Sequence, residues 1–293
     1  MKSIEVLLLS YNHADYIDRA IDSVEMQLSD QFDVFLTIID DGSNDETVAK
    51  IISRIGSSKI KINLIQKNHV GVMSISSNLQ ELINQAKGDF LTFLSSDDEY
   101  LPRRFDEQLK YLEAGYSITY APGINQFGDK TSKRATSLEE LDIYSSQDSI
   151  KVKNYILNNV PNLYMQGTLI ERNFIQSFQA MDTSMIADDW VFNIRVFCQL
   201  INTTAKFRFV NTPVFKRHIH ETNTSRNATV HFERVHQVVN KYCNGDHKLM
   251  AKFSAFQTLS ALKNFEFKSA WWLFRQGFVF DGFIAQLISK LIR

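Results

Sequence analysis

Phe35-Leu36-Thr37-Ile38-Ile39-Asp40-Asp41-Gly42-Ser43-Asn44-Asp45-Glu46-Thr47 decides the fold. An apolar run of strand length, Phe35 to Ile39, stops at two carboxylates and a glycine. Residues that favour helix starts follow, and Thr47 to Ile55 carries helical spacing. Working outward, the same alternation repeats. Upstream, Val6 to Leu9 suits a strand buried on both faces, and Asp15 is expected to cap a helix carrying Ile17, Ala20, Ile21 and Val24. Downstream come a strand at Ile60–Ile65, a helix from Ser76 to Ala86 ended by Gly88, and a strand at Phe90–Leu94 that runs into Ser95-Ser96-Asp97-Asp98. The β-α-β-α-β-α-β order predicts an α/β fold with a mainly parallel sheet flanked by helices. Pro102 opens a further helix, Arg103 to Ala114. Asn125 to Ser149 is polar and reads as an irregular, mobile loop. From His231 the pattern turns helical and rich in aromatics, so the expected domains are 1–225 and a C-terminal helical extension, 226–293.

Composition bounds the function. The chain has 293 residues, 44% hydrophobic and 22% charged, which predicts a folded core rather than disorder. Lys plus Arg total 32 against 33 Asp plus Glu, a balance that argues against a nucleic-acid partner. Cys198 and Cys243 make no disulfide framework, and a reducing cytoplasm fits them better. The N-terminus lacks signal-peptide character, and no apolar run reaches the ~18 residues of a membrane span. The near-zero net charge is a cancellation: residues 1–225 carry 22 Lys plus Arg against 29 Asp plus Glu, whereas residues 226–293 carry 10 against 4.

Ligands of open α/β sheets bind outside the carboxyl ends of the strands. Three polar clusters follow strand-like runs here: Ser10-Tyr11-Asn12, Asp40-Asp41-Gly42-Ser43 and Ser95-Ser96-Asp97-Asp98. Clustered carboxylates repel one another, and a divalent cation such as Mn²⁺ or Mg²⁺ relieves this while engaging substrate phosphates. There is no GxGxxG and no GxxxxGK[ST], which disfavours a dinucleotide site and a P-loop.

These segments resemble the family 2 glycosyltransferases of GT-A fold, bacterial surface-polysaccharide type. The resemblance rests on Leu9-Ser10-Tyr11-Asn12, Ile39 to Asp45, Ala86-Lys87-Gly88-Asp89-Phe90 and Ser95 to Asp98. It continues through Gly167 to Arg172, Ala187-Asp188-Asp189-Trp190, and Arg217-His218-Ile219-His220 with Asn223-Thr224-Ser225. It covers about the first three-quarters of the chain and implies a nucleotide-sugar donor and a glycan or lipid-linked glycan acceptor. By position, it implies that Tyr11 stacks on the base, Asp41 accepts a hydrogen bond from it, and Ser10 lies against the same pocket. Asp97 faces the ribose or the metal shell, and Asp98 binds the metal. Asp189 is the catalytic base, with Asp188 beside it. His220, with His218 as second choice, faces the diphosphate or the metal. Departures are Ser95 where an Asp is common at the metal turn, Asp188 in place of the usual Glu, and no Gln-x-x-Arg-Trp motif of processive synthases. Single-sugar transfer with inversion, from a UDP-sugar and in O-antigen or capsule synthesis, is the expected activity.

Plainer readings stand beside these. Asp41-Gly42 also suits a turn and cap, Asp97-Asp98 a solvated turn, Asp188-Asp189 a helix N-terminus, and Tyr11 core packing. His218 and His220 alternate along a strand-like run, so one at most serves the site. Rival functions are a nucleotidyltransferase, which wants a Gly-rich, Lys-containing loop that Ser10 to Asp15 does not supply, and a degenerate nucleotide-binding or scaffold domain. The tail from Phe265 reads as one amphipathic helix with Arg275, Gly282, Gln286, Ser289 and Arg293 on one face. It suits either the inner face of the cytoplasmic membrane or packing on the protein's own core or a second subunit.

Overall fold

The structure, a computed structural model, describes residues 1–71, 73–128, 131–186, 189–220, 228–263 and 265–291. In chain order the strands are β1 (Lys2–Ser10), β2 (Phe32–Asp40), β3 (Lys61–Gln66), β4 (Phe90–Ser95), β5 (Glu99–Tyr100), β6 (Ile118–Tyr120), β7 (Gly123–Phe127), β8 (Thr131–Arg134), β9 (Thr168–Glu171), β10 (Phe207–Phe209) and β11 (Phe215–Ile219). The helices are α1 (Ile17–Glu25), α2 (Thr47–Ser57), α3 (Ser74–Gln85), α4 (Arg104–Glu113), α5 (Leu138–Ser145), α6 (Ser149–Asn158), α7 (Arg172–Gln176), α8 (Asp189–Asn202), α9 (Ala228–Tyr242), α10 (His247–Lys263), α11 (Phe267–Gly277) and α12 (Phe283–Leu291).

The chain divides into two compact units: Met1–Lys153 with Pro161–Ile219, and Asn154–Val160 with His220–Arg293. The first holds a seven-stranded sheet in the order β10-β6-β9-β4-β1-β2-β3. β1 pairs in parallel with β2 and β4, and β2 with β3, while β9 runs antiparallel to β4 and β6. β1 lies inside the sheet with both faces covered, which is why Ile4, Val6, Leu7 and Leu8 are all apolar and all fully buried. The order reverses beside β1, whose carboxyl end meets those of β2 and β4: Ser10 is opposite Asp40, and Leu9 is opposite Ser95. That is where such sheets open a crevice for ligands.

At the other end of β1, the Lys87-Gly88-Asp89 segment is a staple. The Asp89 carboxylate accepts from the Ser3 N–H at 2.9 Å and the Ser3 hydroxyl at 3.1 Å. Buried Glu5 accepts from the N–H groups of Lys87 and Gly88 at 2.6 and 2.8 Å, and from the Thr37 hydroxyl at 2.6 Å. A side chain at position 88 would come within 2.7 Å of the Glu5 Cβ, so only glycine fits.

Three expectations need correction. Asp15 does not cap α1: the chain turns on the His13 carbonyl, which accepts from the N–H groups of Tyr16 and Ile17, and the residue before the helix, Tyr16, gives no side-chain cap. The polar stretch 125–149 carries β7, β8 and α5 rather than an irregular loop. Ser137 and Glu140 form a capping box there, and buried Glu140 also accepts from the Asn162 N–H at 2.7 Å. The tail is two helices rather than one: α11 ends at Gly277, and Gly282 turns the chain at φ +83° before α12. A Cβ at Gly277 would strike the Phe283 ring at 2.3 Å, so the glycine that ends α11 also seats α12.

A smaller sheet, β5-β11-β7-β8, is built from segments that follow β4, β6 and β10 in the chain. β11 runs antiparallel to β5, with Lys216 opposite Glu99, which brings Arg217 and His218 beside the Asp97-Asp98 turn. The second unit is a helical cluster built on Phe232, Val235, Val239, Leu249, Phe253 and Leu273. No helix among the described residues is long and apolar enough to cross a membrane.

Candidate active site

The site lies along the carboxyl ends of β1, β2 and β4. At its β2 end, two adjacent carboxylates do different work. Asp40 accepts from the Ser43 N–H and hydroxyl at 2.8 and 2.6 Å and closes the turn. Asp41 turns the other way. Its buried carboxylate accepts from the His69 ring at 2.8 Å, the Ser74 hydroxyl at 2.8 Å and the Asn78 amide at 2.7 Å. Gly42 has φ +80°, and a Cβ there would lie 2.5 Å from the His69 nitrogen, so a side chain would push the His69 loop off Asp41. The exposed Tyr11 ring lies flat on the His69 ring, centroids 4.0 Å apart and planes 11° from parallel. Ser10 is buried, and its hydroxyl has no hydrogen-bond partner among the described residues.

Asn12 and His13 bind the ends of β1, β2 and β4 together. The Asn12 N–H donates to the Ser43 hydroxyl, and the Asn12 side chain accepts from the Asn44 N–H, both at 2.8 Å, with Asn12 itself at φ +52°. The His13 ring meets the Ser96 hydroxyl at 2.6 Å.

At the β4 end, Asp97 and Asp98 are both buried. Asp97 accepts from the Ser95 hydroxyl, so the serine at the first place of the turn steadies the carboxylate two residues on. Arg19 grips the Asp97 carbonyl at 2.6 Å. Asp98 accepts from the His218 N–H at 2.9 Å and the Gln166 amide at 3.0 Å. Burial, then the Asp97 charge, push its carboxyl well above the usual carboxylate range, against the pull of those bonds and of Arg217. The His218 ring turns to Glu99 at 3.2 Å, and burial and Arg19 hold it below the ordinary imidazole value. For Glu99, burial is outweighed by Lys216, 3.1 Å away, and by His218, and its carboxyl is lowered.

Asp189 opens α8. Its carboxylate accepts from the Met165 N–H at 2.6 Å, and its carbonyl accepts from the Asn193 amide at 2.7 Å. Met165 and Gln166 share one 3₁₀ turn, Met165–Gly167, so this turn holds Asp189 by one residue and Asp98 by the next. It is itself held rigidly. The fully buried Arg104 donates to the Gln166 carbonyl at 2.7 Å and the Thr168 carbonyl at 2.8 Å, and Gln108 donates to the Gly167 carbonyl at 2.9 Å. Burial pulls the Arg104 guanidinium down to about 10, still charged at neutral pH. A Cβ at Gly167 would sit 2.1 Å from the Ala121 carbonyl oxygen. Arg217 donates to the Tyr164 hydroxyl at 3.2 Å. Burial disfavours its charge, but Tyr164, Asp98, Asp189 and Asp97 outweigh that and hold it firmly protonated.

The structure thus brings Ser10, Tyr11 and Asp41 together at one end of the edge, and Asp97, Asp98 and Asp189 at the other. His218 reaches Asp98 through its backbone N–H, not its ring. His220 begins the second unit, and Asp188 and Asn223-Thr224-Ser225 lie outside the described residues. Asp97 and Asp98 offer hard oxygen donors, and the repulsion that disfavours ionised Asp98 is one a divalent cation would relieve. The residues therefore fit Mg²⁺ or Mn²⁺ that takes much of its shell from phosphates. Among the described residues, no group of three His, Cys, Asp or Glu side chains is arranged to hold an ion unaided.

The family model for glycosyl transferase family 2 matches residues 5–178, which hold the carboxyl ends of β1, β2 and β4 and the Met165–Gly167 turn but stop short of Asp189, Arg217 and His218. The chain belongs to glycosyl transferase family 2. It is similar to a Campylobacter jejuni protein named GalNAc(5)-diNAcBac-PP-undecaprenol beta-1,3-glucosyltransferase, 26% identical over 188 residues, 63% of this chain and 59% of that one. It is also similar to Protein CgeD of Bacillus subtilis, 26% identical over 45% of this chain and 32% of that one. A third relative is the amylovoran biosynthesis glycosyltransferase AmsB of Erwinia amylovora, 30% identical over 38% of this chain and 36% of that one. The chain thus spans less than two-thirds of these relatives' lengths. Its fold is that of S. aureus TarS residues 1–349, with a TM-score of 0.57 at 10% identity over 94% of this chain and 92% of that one. TarS 1–349 in complex with UDP-GlcNAc aligns with a TM-score of 0.54 at 15% identity, over 85% and 70%. As a family 2 member of GT-A fold, the chain carries site residues that its motifs did not single out: His69, Ser74 and Asn78 around Asp41, and Gln166 and Arg217 around Asp98. Arg217 stands inside the quoted Arg217-His218-Ile219-His220 segment, but nothing in the spacing assigns it a role. His69 lies in a connecting loop with no pattern of its own.

Proposed function

We propose that this family 2 protein moves one sugar, hexosyl or N-acetylhexosaminyl, from a UDP-sugar to a hydroxyl of a glycan or lipid-linked glycan, with inversion, in bacterial surface-polysaccharide synthesis such as O-antigen or capsule. The Met165–Gly167 turn carries the reading. It mounts Asp189 and Asp98 on consecutive residues, so a carboxylate suited to take a proton and one suited to a metal-bound diphosphate share one rigid support. The names of the Campylobacter and Erwinia relatives support a polysaccharide role, the former a lipid-linked acceptor, and the UDP-GlcNAc complex of TarS supports the donor class. A lipid-linked acceptor would place the work at the inner face of the cytoplasmic membrane.

In this reading the base stacks at Tyr11, and Asp41 is the acceptor for its ring N–H. Asp97 and Asp98 would hold Mn²⁺ or Mg²⁺, which when bound offsets the charge of the departing diphosphate. Asp189 takes the proton of the acceptor hydroxyl as its oxygen bonds to the anomeric carbon and the bond to the diphosphate oxygen breaks. Arg217 adds positive charge to the same edge.

The test is UDP release from a panel of UDP-sugars with Mn²⁺, alone and with acceptors. Turnover is expected, and Asp189→Asn should lower kcat by about 10²–10⁴-fold while UDP affinity stays within about twofold. UDP binding without release from any UDP-sugar would instead favour a degenerate nucleotide-binding domain.

A further inference from the structure

The family match ends at residue 178, and the reading above assigns no role to the helices of the second unit. Their surface is unusual for a water-exposed face. Along α11 the buried residues are Ala270, Leu273 and Gly277, at helical spacing. A second stripe, Phe267, Trp271, Phe274 and Phe278, runs beside them at the same period, and Phe267, Trp271 and Phe278 are 64%, 63% and 58% exposed. The stripe is ordered by ring contacts. Trp271 and Phe274 stack with centroids 5.9 Å apart, and Phe274 meets Phe278 edge-on at 4.8 Å. Phe283 touches both Phe274 and Phe278, which joins the stripe to α12. There Ile284, Ile288 and Leu291 are exposed at positions i, i+4 and i+7, and Val279 stands exposed in the turn between the helices. Lys268 and Arg275 flank the aromatics of α11 and are exposed, and Lys290 lies over the Phe256 ring at 5.2 Å. Glu266 and Asp281 are the acids on the same stretch.

We propose that the exposed flank of α11, α12 and the turn between them seats on an anionic lipid bilayer, lying in the interface rather than crossing it. α11 has 11 residues and α12 has 9, too few to span, and tryptophan and phenylalanine beside lysine and arginine suit the boundary between headgroups and acyl chains. Charge selects this occupant over a second copy. Residues 226–293 carry 10 Lys plus Arg against 4 Asp plus Glu, so a second copy would bring up a segment of like net charge, whereas an anionic leaflet attracts it; on the flank itself Lys268, Arg275 and Lys290 stand against Glu266 and Asp281. The proposal concerns the second unit's surface and stands whether or not the acceptor is lipid-linked.

The experiment is co-sedimentation of the full chain with phosphatidylglycerol-containing vesicles and with pure phosphatidylcholine vesicles, over a range of salt. Binding to the anionic vesicles is expected, at least tenfold tighter than to the neutral ones and weakening as salt rises. Trp271→Gln with Phe278→Gln should lower that binding at least tenfold. Lys268→Gln with Arg275→Gln should lower it on anionic vesicles only. The altered side chains are exposed, and circular dichroism and UDP affinity, both expected to stay at wild-type values, report a folded chain. Equal binding to both vesicle types, no binding to either, or wild-type binding by the aromatic variant would overturn the proposal. So would light scattering that shows a dimer dissolved by the aromatic substitutions in a chain that ignores vesicles.

Discussion

Asp98 shows how a single residue is set against its surroundings. Its carboxyl is buried beside Asp97 and raised well above the ordinary range, so ionising it costs the folded chain free energy. Asp98→Asn removes that cost but also the donor oxygen. The expected outcome is a melting temperature at neutral pH that is unchanged or raised in metal-free buffer, together with a loss of UDP-sugar turnover of at least 10²-fold. Function kept at the expense of stability is common at sites of this kind. Tyr11 is the opposite case. It is exposed, and its ring is occupied by His69 at 4.0 Å, so little core packing depends on it. Base–aromatic stacking contributes about 1–3 kcal/mol, so Tyr11→Ala should weaken UDP by roughly 5- to 150-fold in calorimetry with little change in melting temperature. Both residues were legible as chemistry-bearing types in the sequence. The partners that give them their properties were not, because Gln166 comes from a turn 68 residues beyond Asp98 and His69 from a loop remote in sequence from Tyr11.

At the scale of elements, the alternation of apolar runs and polar turns placed β1 to β4 and α1 to α4 within a few residues, since β1 and β4 are buried along nearly their whole length and read as apolar runs, while β3, at the sheet edge, mixes polar and apolar residues. The same patterning misread 125–149 and the tail. In 125–149 the polar Ser137 and Glu140 make the capping box of α5, and helical spacing along the tail does not show that Gly277 and Phe283 must interlock. The Lys87-Gly88-Asp89 segment, a family signature in the sequence, acts here as the clamp between β1 and β4. Hydrogen bonds from the Ser3 N–H and hydroxyl hold the Asp89 carboxyl below its ordinary value. A carboxyl lowered on folding adds stability above its unfolded value, and that stability is lost as pH falls through the folded value. Asp89→Asn should therefore lower the melting temperature at pH 7, with the difference from wild type shrinking as the buffer is acidified below the ordinary aspartate range.

At the scale of the whole molecule, the two units differ in charge and in surface. The carboxylate-rich edge belongs to the first unit and the exposed aromatics of α11 and α12 to the second. A ligand that binds only the folded site adds RT ln(1 + [L]/Kd), about 2.7 kcal/mol at one hundred times Kd. UDP with Mn²⁺ should therefore slow amide hydrogen exchange around Asp41, Asp98 and the Met165–Gly167 turn, and leave α10 to α12 unchanged. Protection concentrated in α10 to α12 would place the nucleotide elsewhere.

By itself the sequence determined the fold class, the family and the edge of the sheet where chemistry collects, because strand burial, turn residues and acidic clusters are local properties written in consecutive positions. Tertiary structure decided which atoms of those residues meet. It turned Asp40 inward to close its own turn and Asp41 toward His69, Ser74 and Asn78. It gave Asp98 the backbone of His218 instead of the ring, and hung Asp98 and Asp189 on one turn wedged in place by the buried Arg104. Those pairings join residues far apart in the chain, so they depend on how the sheet twists and packs rather than on any spacing along it.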